Sequence, residues 1–159
     1  MESGKRKTEN GKRKTENGKL KTENGKRKTN KVRIRTMKSI KNSVLHQKSL
    51  AFGVRIIKFY KYLCDEKKEF VLSKQILRSG TSIGANSREC RNAQSDADFV
   101  NKLSIALKEA DETQYWLELF LLSEIITQEE FDSLNNDVSE LAAILTTSIK
   151  TMKGKNEKQ

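Results

Sequence analysis

The feature that most constrains the fold is an apolar repeat near the middle of the chain, where every third or fourth residue is apolar. The series begins at Phe99, ends at Phe120 and is interrupted only by Thr113. It consists of Phe99, Leu103, Ala106, Ala110, Thr113, Leu117 and Phe120. This spacing places one apolar stripe on a single face of an α-helix. A stripe of that length needs other helices to cover it, so the segment predicts the core helix of a bundle.

Three further segments share this periodicity. We expect helices over residues 43–66, 69–93, 95–123 and 127–152, with fraying beyond. The connections between them are short, which makes sequential helices antiparallel neighbours. The chain also has no proline and few segments of alternating polarity. The predicted fold is therefore all-α, an antiparallel up-down-up-down four-helix bundle.

Local signals mark the starts and faces of these helices. Ser95 with Asp98, and Thr127 with Glu130, have the spacing of capping boxes at the starts of the third and fourth helices. The first helix has more apolar positions than one face requires, and we expect it to bury more than one face. The additional positions are Leu50, Val54, Ile57 and Cys64.

The positive charge of the chain is concentrated at its N-terminus. The net charge is +11, and residues 1–36 carry 14 Lys and Arg against 4 Glu. Residues 37–159 carry 18 basic and 17 acidic residues and are more apolar than the chain as a whole. We therefore predict two regions, a basic tail at 1–36 that is disordered and a helical domain at 37–159.

The tail is a tandem repeat of the unit Gly-Lys-Arg-Lys-Thr-Glu-Asn, which starts at Gly4 and recurs from Gly11 and Gly18 and, in part, from Gly25. Its seven-residue period lacks the apolar positions of a coiled coil. Such a chain can bind RNA or DNA by neutralising phosphates without reading sequence. The candidate contacts are Lys5, Arg6, Lys7, Lys12, Arg13, Lys14, Lys26, Arg27 and Lys28. The alternative is a recent tandem duplication, or an upstream extension that is translated by accident, in which case Met37 would be the working start.

Composition argues against several classes of protein. We expect no membrane span, because no apolar run approaches ~18 residues, and no secretory signal, because no apolar core follows the N-terminal charge. Cys64 and Cys90 are too few for a disulfide framework, and His46 is the single histidine. We expect a cytoplasmic protein without a metal or another cofactor.

The second helix contains small residues around Gly80 and Gly84. They indicate either the close approach of another backbone or a break near Gly80. Residues 80–84 also satisfy the G-x-S-x-G pattern, which would make Ser82 a hydrolase nucleophile with His46 as its base. That motif needs a strand, a strained turn and a helix, whereas these flanks have helical periodicity. We therefore favour helix packing and a non-enzymatic protein.

A polar face runs along the same helix. Arg78, Ser82 and Asn86 are spaced four apart and so lie on one side, and Glu89 follows them. These four residues are the candidate recognition face, where Arg78 would bind a phosphate. The alternative is a polar network, within the bundle or between subunits, that sets its register.

Two stretches resemble a known bacterial family. They are residues 72–89 (LSKQILRSGTSIGANSRE) and 95–119 (SDADFVNKLSIALKEADETQYWLEL). Both are similar to the 23S rRNA intervening-sequence proteins, also called S23-type proteins, and the resemblance covers about residues 40–152. It implies an antiparallel four-helix bundle of a kind that often assembles as a homopentamer. Related bundles are accessory proteins of retroelements that work with a reverse transcriptase and RNA.

Two functional hypotheses follow from these patterns. The first is a non-enzymatic, oligomeric bundle that binds RNA or a ribonucleoprotein partner such as a reverse transcriptase. The second is a protein–protein scaffold without a nucleic-acid role, which the near-neutral charge of residues 37–159 favours.

Overall fold

The computed structural model describes residues 44–156, with side chains to residue 154, and this part of the chain is helical without a strand. The four helices are α1 (Val44–Asp65), α2 (Leu72–Glu89), α3 (Asp96–Leu122) and α4 (Gln128–Asn156). A short 3₁₀ turn, Cys90–Asn92, follows α2. The all-α four-helix bundle predicted from the sequence is confirmed. The basic tail and its predicted boundary at residue 37 lie outside the described residues.

The helices pack in the order in which they follow one another. The pairs α1–α2, α2–α3 and α3–α4 are in extensive contact, and a smaller contact between α1 and α4 closes the bundle. The predicted stripe of α3 is buried from Leu103 to Phe120, and Thr113 is buried with it. The largest fully buried side chains around it are Phe52, Ile56, Leu63, Ile76, Ile83, Leu141 and Leu145.

The predicted capping box at Thr127 forms in full, whereas at Ser95 only the hydroxyl bond forms and the Asp98 carboxylate accepts the N–H of Gln94 instead, at 3.0 Å. The hydroxyl of Ser95 accepts the N–H of Asp98 at 3.1 Å. The hydroxyl of Thr127 accepts the N–H of Glu130 at 3.2 Å, and the Glu130 carboxylate accepts the N–H of Thr127 at 2.9 Å. These bonds satisfy N–H groups that have no partner inside a helix, so they fix where α3 and α4 begin.

The predicted start of the second helix at Glu69 is wrong, because Glu69 caps the helix from outside. Its carboxylate accepts the backbone N–H groups of Val71, Leu72 and Ser73 at 3.0, 2.9 and 2.5 Å. Burial raises the pKa of this carboxyl, but the backbone donors outweigh burial and leave the pKa lowered. The other end also differs, since the α-helix stops at Glu89 and the chain tightens into the 3₁₀ turn.

The end of α4 extends beyond the sequence prediction. Fraying was predicted from Lys153 onward, whereas α4 continues through Asn156. Three of its last eight residues are lysines, and positive charge near a helix C-terminus is favourable.

The small residues of α2 let α1 approach it closely. A β-carbon added at Gly80 would lie 2.7 Å from Cγ1 of Ile56, and one added at Gly84 would lie 3.3 Å from the backbone oxygen of Ser49. The close backbone approach predicted from the sequence therefore occurs at Gly84, whereas Gly80 makes room for a side chain. The predicted alternative, a break near Gly80, is wrong because α2 runs unbroken through this segment.

The single polar interruption of the α3 stripe has a partner on α2. The hydroxyl of Thr113 lies 3.0 Å from the hydroxyl of Ser79 and 2.7 Å from the backbone oxygen of Glu109. Ser79 and Thr113 are both fully buried. Because a buried hydroxyl is costly without a partner, this pair favours one register between α2 and α3.

Replacing both members of this pair should cost less than the sum of the two single replacements. We expect Thr113→Val to lower the free energy of unfolding by about 1–3 kcal/mol, since it leaves the Ser79 hydroxyl buried without its partner. The double variant Ser79→Ala/Thr113→Val should lose less than the sum of the two single variants. Urea unfolding of the four proteins measures this coupling. Additive losses would show that the two hydroxyls do not stabilise one another.

Gly53 of α1 and Gly80 of α2 should respond in opposite directions to replacement by alanine. Gly80→Ala should lower the free energy of unfolding by about 1–3 kcal/mol, because the new methyl group displaces Ile56. Gly53→Ala is the matched control, since nothing lies within 4 Å of a β-carbon there. It should raise the free energy of unfolding by about 0.5–1 kcal/mol through helix propensity. A stabilising Gly80→Ala would contradict close packing at this position.

Candidate functional site

The candidate recognition face lies on the side of α2 next to α3. Arg78 is exposed, and Ser82 and Asn86 are half-buried. The side-chain amide of Asn86 donates to the backbone oxygen of Ser82 at 2.9 Å. Glu89 accepts a hydrogen bond from Lys102 of α3 at 2.5 Å. Glu89 therefore makes an ion pair across to α3, and Arg78 and Glu89 are the two exposed residues of the four.

Glu109 of α3 lies close to this face and joins its electrostatics. Its pKa is raised, first because the carboxyl is partly buried and then because Glu112 adds a second negative charge. The positive charge of Arg78 and the hydroxyl of Ser82 act against that rise. The charge of Arg78 is thus partly balanced by a carboxylate within the same chain, which weakens it as a phosphate contact.

The other two arginines of the segment turn toward α1 instead. Arg88 and Arg91 both act on His46 of α1, whose pKa is lowered first by burial and then by these two positive charges. The Nε and Nη2 atoms of Arg91 are buried and find no acceptor among the residues that the structure describes. The arginines that are close in sequence are therefore divided between two sides of α2. The helical phase of residues 78–91 is the sequence signal that could have separated them.

The G-x-S-x-G segment is part of a continuous helix. Gly80, Ser82 and Gly84 all lie inside α2, so the strand and strained turn of a nucleophile elbow do not form there. Ser82 lies on the side of α2 near Glu109, whereas His46 lies near Arg88 and Arg91. The structure therefore does not bring Ser82 and His46 together as a nucleophile and its base.

An apolar stripe on α1 remains at the surface. Leu50, Val54 and Ile57 are 59%, 48% and 44% exposed, although the sequence predicted that they would widen the buried face. That prediction is wrong within one chain, because α2 and α4 cover α1 on the side of Phe52 and Ile56. Contiguous exposed apolar residues on a helix are typical of an interaction surface.

Two other features of the described residues are weaker candidates for a binding or reactive site. An open groove of about 350 Å³ between α1 and α4 is lined by Arg55, Lys58, Glu129 and Glu130, whose charges are mixed. Arg55 is already bonded to Asp137 and Ser133. Burial raises the pKa of the Cys90 thiol to about 11, so this cysteine is not a reactive thiolate at neutral pH.

Residues 44–156 show neither a membrane span nor a cluster of metal ligands. Within this range no helix combines the length and the apolar character needed to cross a membrane. The same range holds no group of three His, Cys, Asp or Glu side chains that could bind a metal ion. The predicted tail contacts, from Lys5 to Lys28, lie outside the described residues.

Comparisons with known proteins agree on one family. The family model described as the 23S rRNA-intervening sequence protein matches residues 41–147. Among solved structures, the chain is similar to a crystal structure of a protein of unknown function from the S23 ribosomal protein family of Bacteroides thetaiotaomicron. The two are 62% identical with a TM-score of 0.67, over 67% of this chain and 96% of that chain. No curated protein matches the chain.

The unpartnered atoms of Arg91 give a stability prediction. We expect Arg91→Met to raise the free energy of unfolding by about 1 kcal/mol, because it removes buried donors that have no acceptor. Arg55→Met is the matched control and should lose a few tenths of a kcal/mol, since the ion pair with Asp137 is largely exposed. Urea unfolding measures both. A loss of 1 kcal/mol or more on Arg91→Met would mean that Arg91 has a structural partner.

Proposed function

Because the chain belongs to the 23S rRNA-intervening sequence protein family, we propose that it is a non-enzymatic, self-associating four-helix bundle that binds RNA or a ribonucleoprotein partner. The bundle serves as a rigid scaffold, and basic residues supply the attraction to phosphate. The protein works in the cytoplasm, where its two free cysteines stay reduced.

The observation that carries the proposal is the exposed stripe of Leu50, Val54 and Ile57 on α1. These three side chains are exposed on the outer side of α1, where none of the other described helices, α2 to α4, covers them. Burying such residues against another protein is favourable by ~25 cal/mol per Å² of apolar surface. Self-association, with the pentamer implied by the family resemblance, uses this surface.

Two features support RNA as a ligand. Residues 1–36 have a net charge of +10, which suits the neutralisation of phosphates. Arg88 and Arg91 add two positive charges near His46 in the folded domain. Arg88 is exposed, and an exposed guanidinium suits a phosphate oxygen.

The second candidate function is a protein–protein scaffold without a nucleic-acid role. The charge of the folded domain favours it, because residues 44–154 carry 14 Lys and Arg against 16 Asp and Glu, a net charge of −2. A partner captured by this protein after nuclease treatment, together with a failure to bind RNA, would support the scaffold.

RNA binding is tested by salt titration with and without residues 1–36. We expect the full chain to bind a fluorescently labelled RNA of about 20 nucleotides, with an affinity that falls at least tenfold between 50 and 200 mM salt. Removing residues 1–36 should weaken binding and flatten the salt dependence, because fewer counterions are then released. Fluorescence anisotropy measures both constants. The absence of salt-sensitive binding by either protein would reject the RNA function.

A further inference from the structure

The exposed apolar residues of α1 belong to a longer stripe that ends in a positive charge. Leu50, Val54, Ile57 and Lys61 are all exposed and step by 4, 3 and 4 residues, which places them on one outer side of the helix. We call these four residues the α1 stripe. Its spacing is that of a helix that packs against another helix.

A second stripe with the same spacing lies on α3. Asp111, Tyr115, Glu118 and Leu122 are all exposed and also step by 4, 3 and 4 residues. Tyr115 is 53% and Leu122 is 80% exposed, so this α3 stripe combines two apolar side chains with two carboxylates. Each stripe thus offers apolar contact area, and the two carry opposite charges.

The two layers of the bundle also carry net charges of opposite sign. Residues 44–92, which form the α1–α2 layer, carry 10 Lys and Arg against 4 Asp and Glu, a net charge of +6. Residues 93–154, which form the α3–α4 layer, carry 4 against 12, a net charge of −8. The near-neutral domain is therefore strongly polarised from one face to the other.

We propose that the α1 stripe of one copy packs against the α3 stripe of a second copy. Lys61 then lies in the negative field of Asp111 and Glu118, and the apolar residues of the two stripes cover one another. This assigns the two surfaces of the self-association in the proposed function, and it rests on that function.

The charges favour this arrangement over the pairing of two α1 stripes. Lys48 and Arg55 of α1 are paired with carboxylates of α4, which leaves Lys58 and Lys61 against the single acid Asp65. Two α1 helices in contact would bring like charges together, whereas α1 against α3 brings opposite charges together. Complementary charge across an interface rejects the wrong partner as well as attracting the right one.

The position of the stripes in the bundle makes the contact head-to-tail. α1 packs extensively against α2 and closes the bundle with α4, so α1 and α3 occupy opposite corners. Their outer sides consequently face different directions, and each copy has one stripe free after its first contact. Interfaces between two different surfaces of the same protein generate closed rings or open filaments.

The test uses two full-length variants, each with one stripe blocked. The α1 block is Val54→Glu/Ile57→Glu and the α3 block is Tyr115→Lys/Glu118→Lys. We expect each block alone to be a monomer and an equimolar mixture to form a dimer of two chains, because one intact α1 stripe and one intact α3 stripe remain. Light scattering coupled to size exclusion gives the masses, and Asp132→Lys, a charge reversal on α4, should leave the wild-type mass unchanged.

The outcomes separate this proposal from the proposed function. A monomeric α1 block with an oligomeric α3 block would show that α1 pairs with itself, which overturns the proposal and leaves self-association intact. Two monomeric blocks that do not combine, or two blocks that still associate, would also overturn it. A wild-type protein that is monomeric at all concentrations would reject the self-association in the proposed function and this proposal with it. The helical circular dichroism of each block confirms that it is folded.

Discussion

The close approach of α1 to α2 is the constraint on which the rest of the surface depends. Gly80 and Gly84 remove side chains at two successive turns of α2, so Ile56 and the backbone at Ser49 can fill the space. This contact fixes the rotation of α1 about its own axis and its axial position relative to α2. With Ile56 turned inward, residues 50, 54 and 57 must face outward. The exposed stripe is thus a consequence of the same packing that builds the core.

The parts of the fold that depend on local chemistry could be predicted from the sequence. The buried stripe of α3 follows from its spacing, and the caps at Ser95 and Thr127 follow from side chains that reach their own backbone. The predicted start of α2 was wrong because a glutamate such as Glu69 is favourable both in the first turn of a helix and as a cap outside it. At Glu69 the chain turns through Lys68, whose φ of 55° is outside the helical region. A local pattern does not contain that turn.

The sequence was a poorer guide to which residues are exposed, because exposure depends on which face of each helix packs against a neighbouring helix. Leu50, Val54 and Ile57 read as core positions, since apolar residues on two sides of a helix indicate two buried faces. Only the positions of α2 and α4 show that one of those faces is left open. The arginines from Arg78 to Arg91 form one cluster in sequence, and only their helical phase divides them between two sides of α2.

Net charge is a poor guide to such a molecule. The two layers of a four-helix bundle place their outer faces about 20 Å apart, and each helix is about 10 Å across. At physiological ionic strength, charges are screened over about 8 Å. A ligand or a second copy at one face therefore responds mainly to the charge of that face. The domain total of −2 is the sum of +6 and −8, and the ion pairs Lys48–Glu140, Arg55–Asp137 and Lys102–Glu89 join the two layers where they meet. Lowering the salt concentration lengthens the screening distance, so contact between opposite faces should strengthen while repulsion between like faces grows.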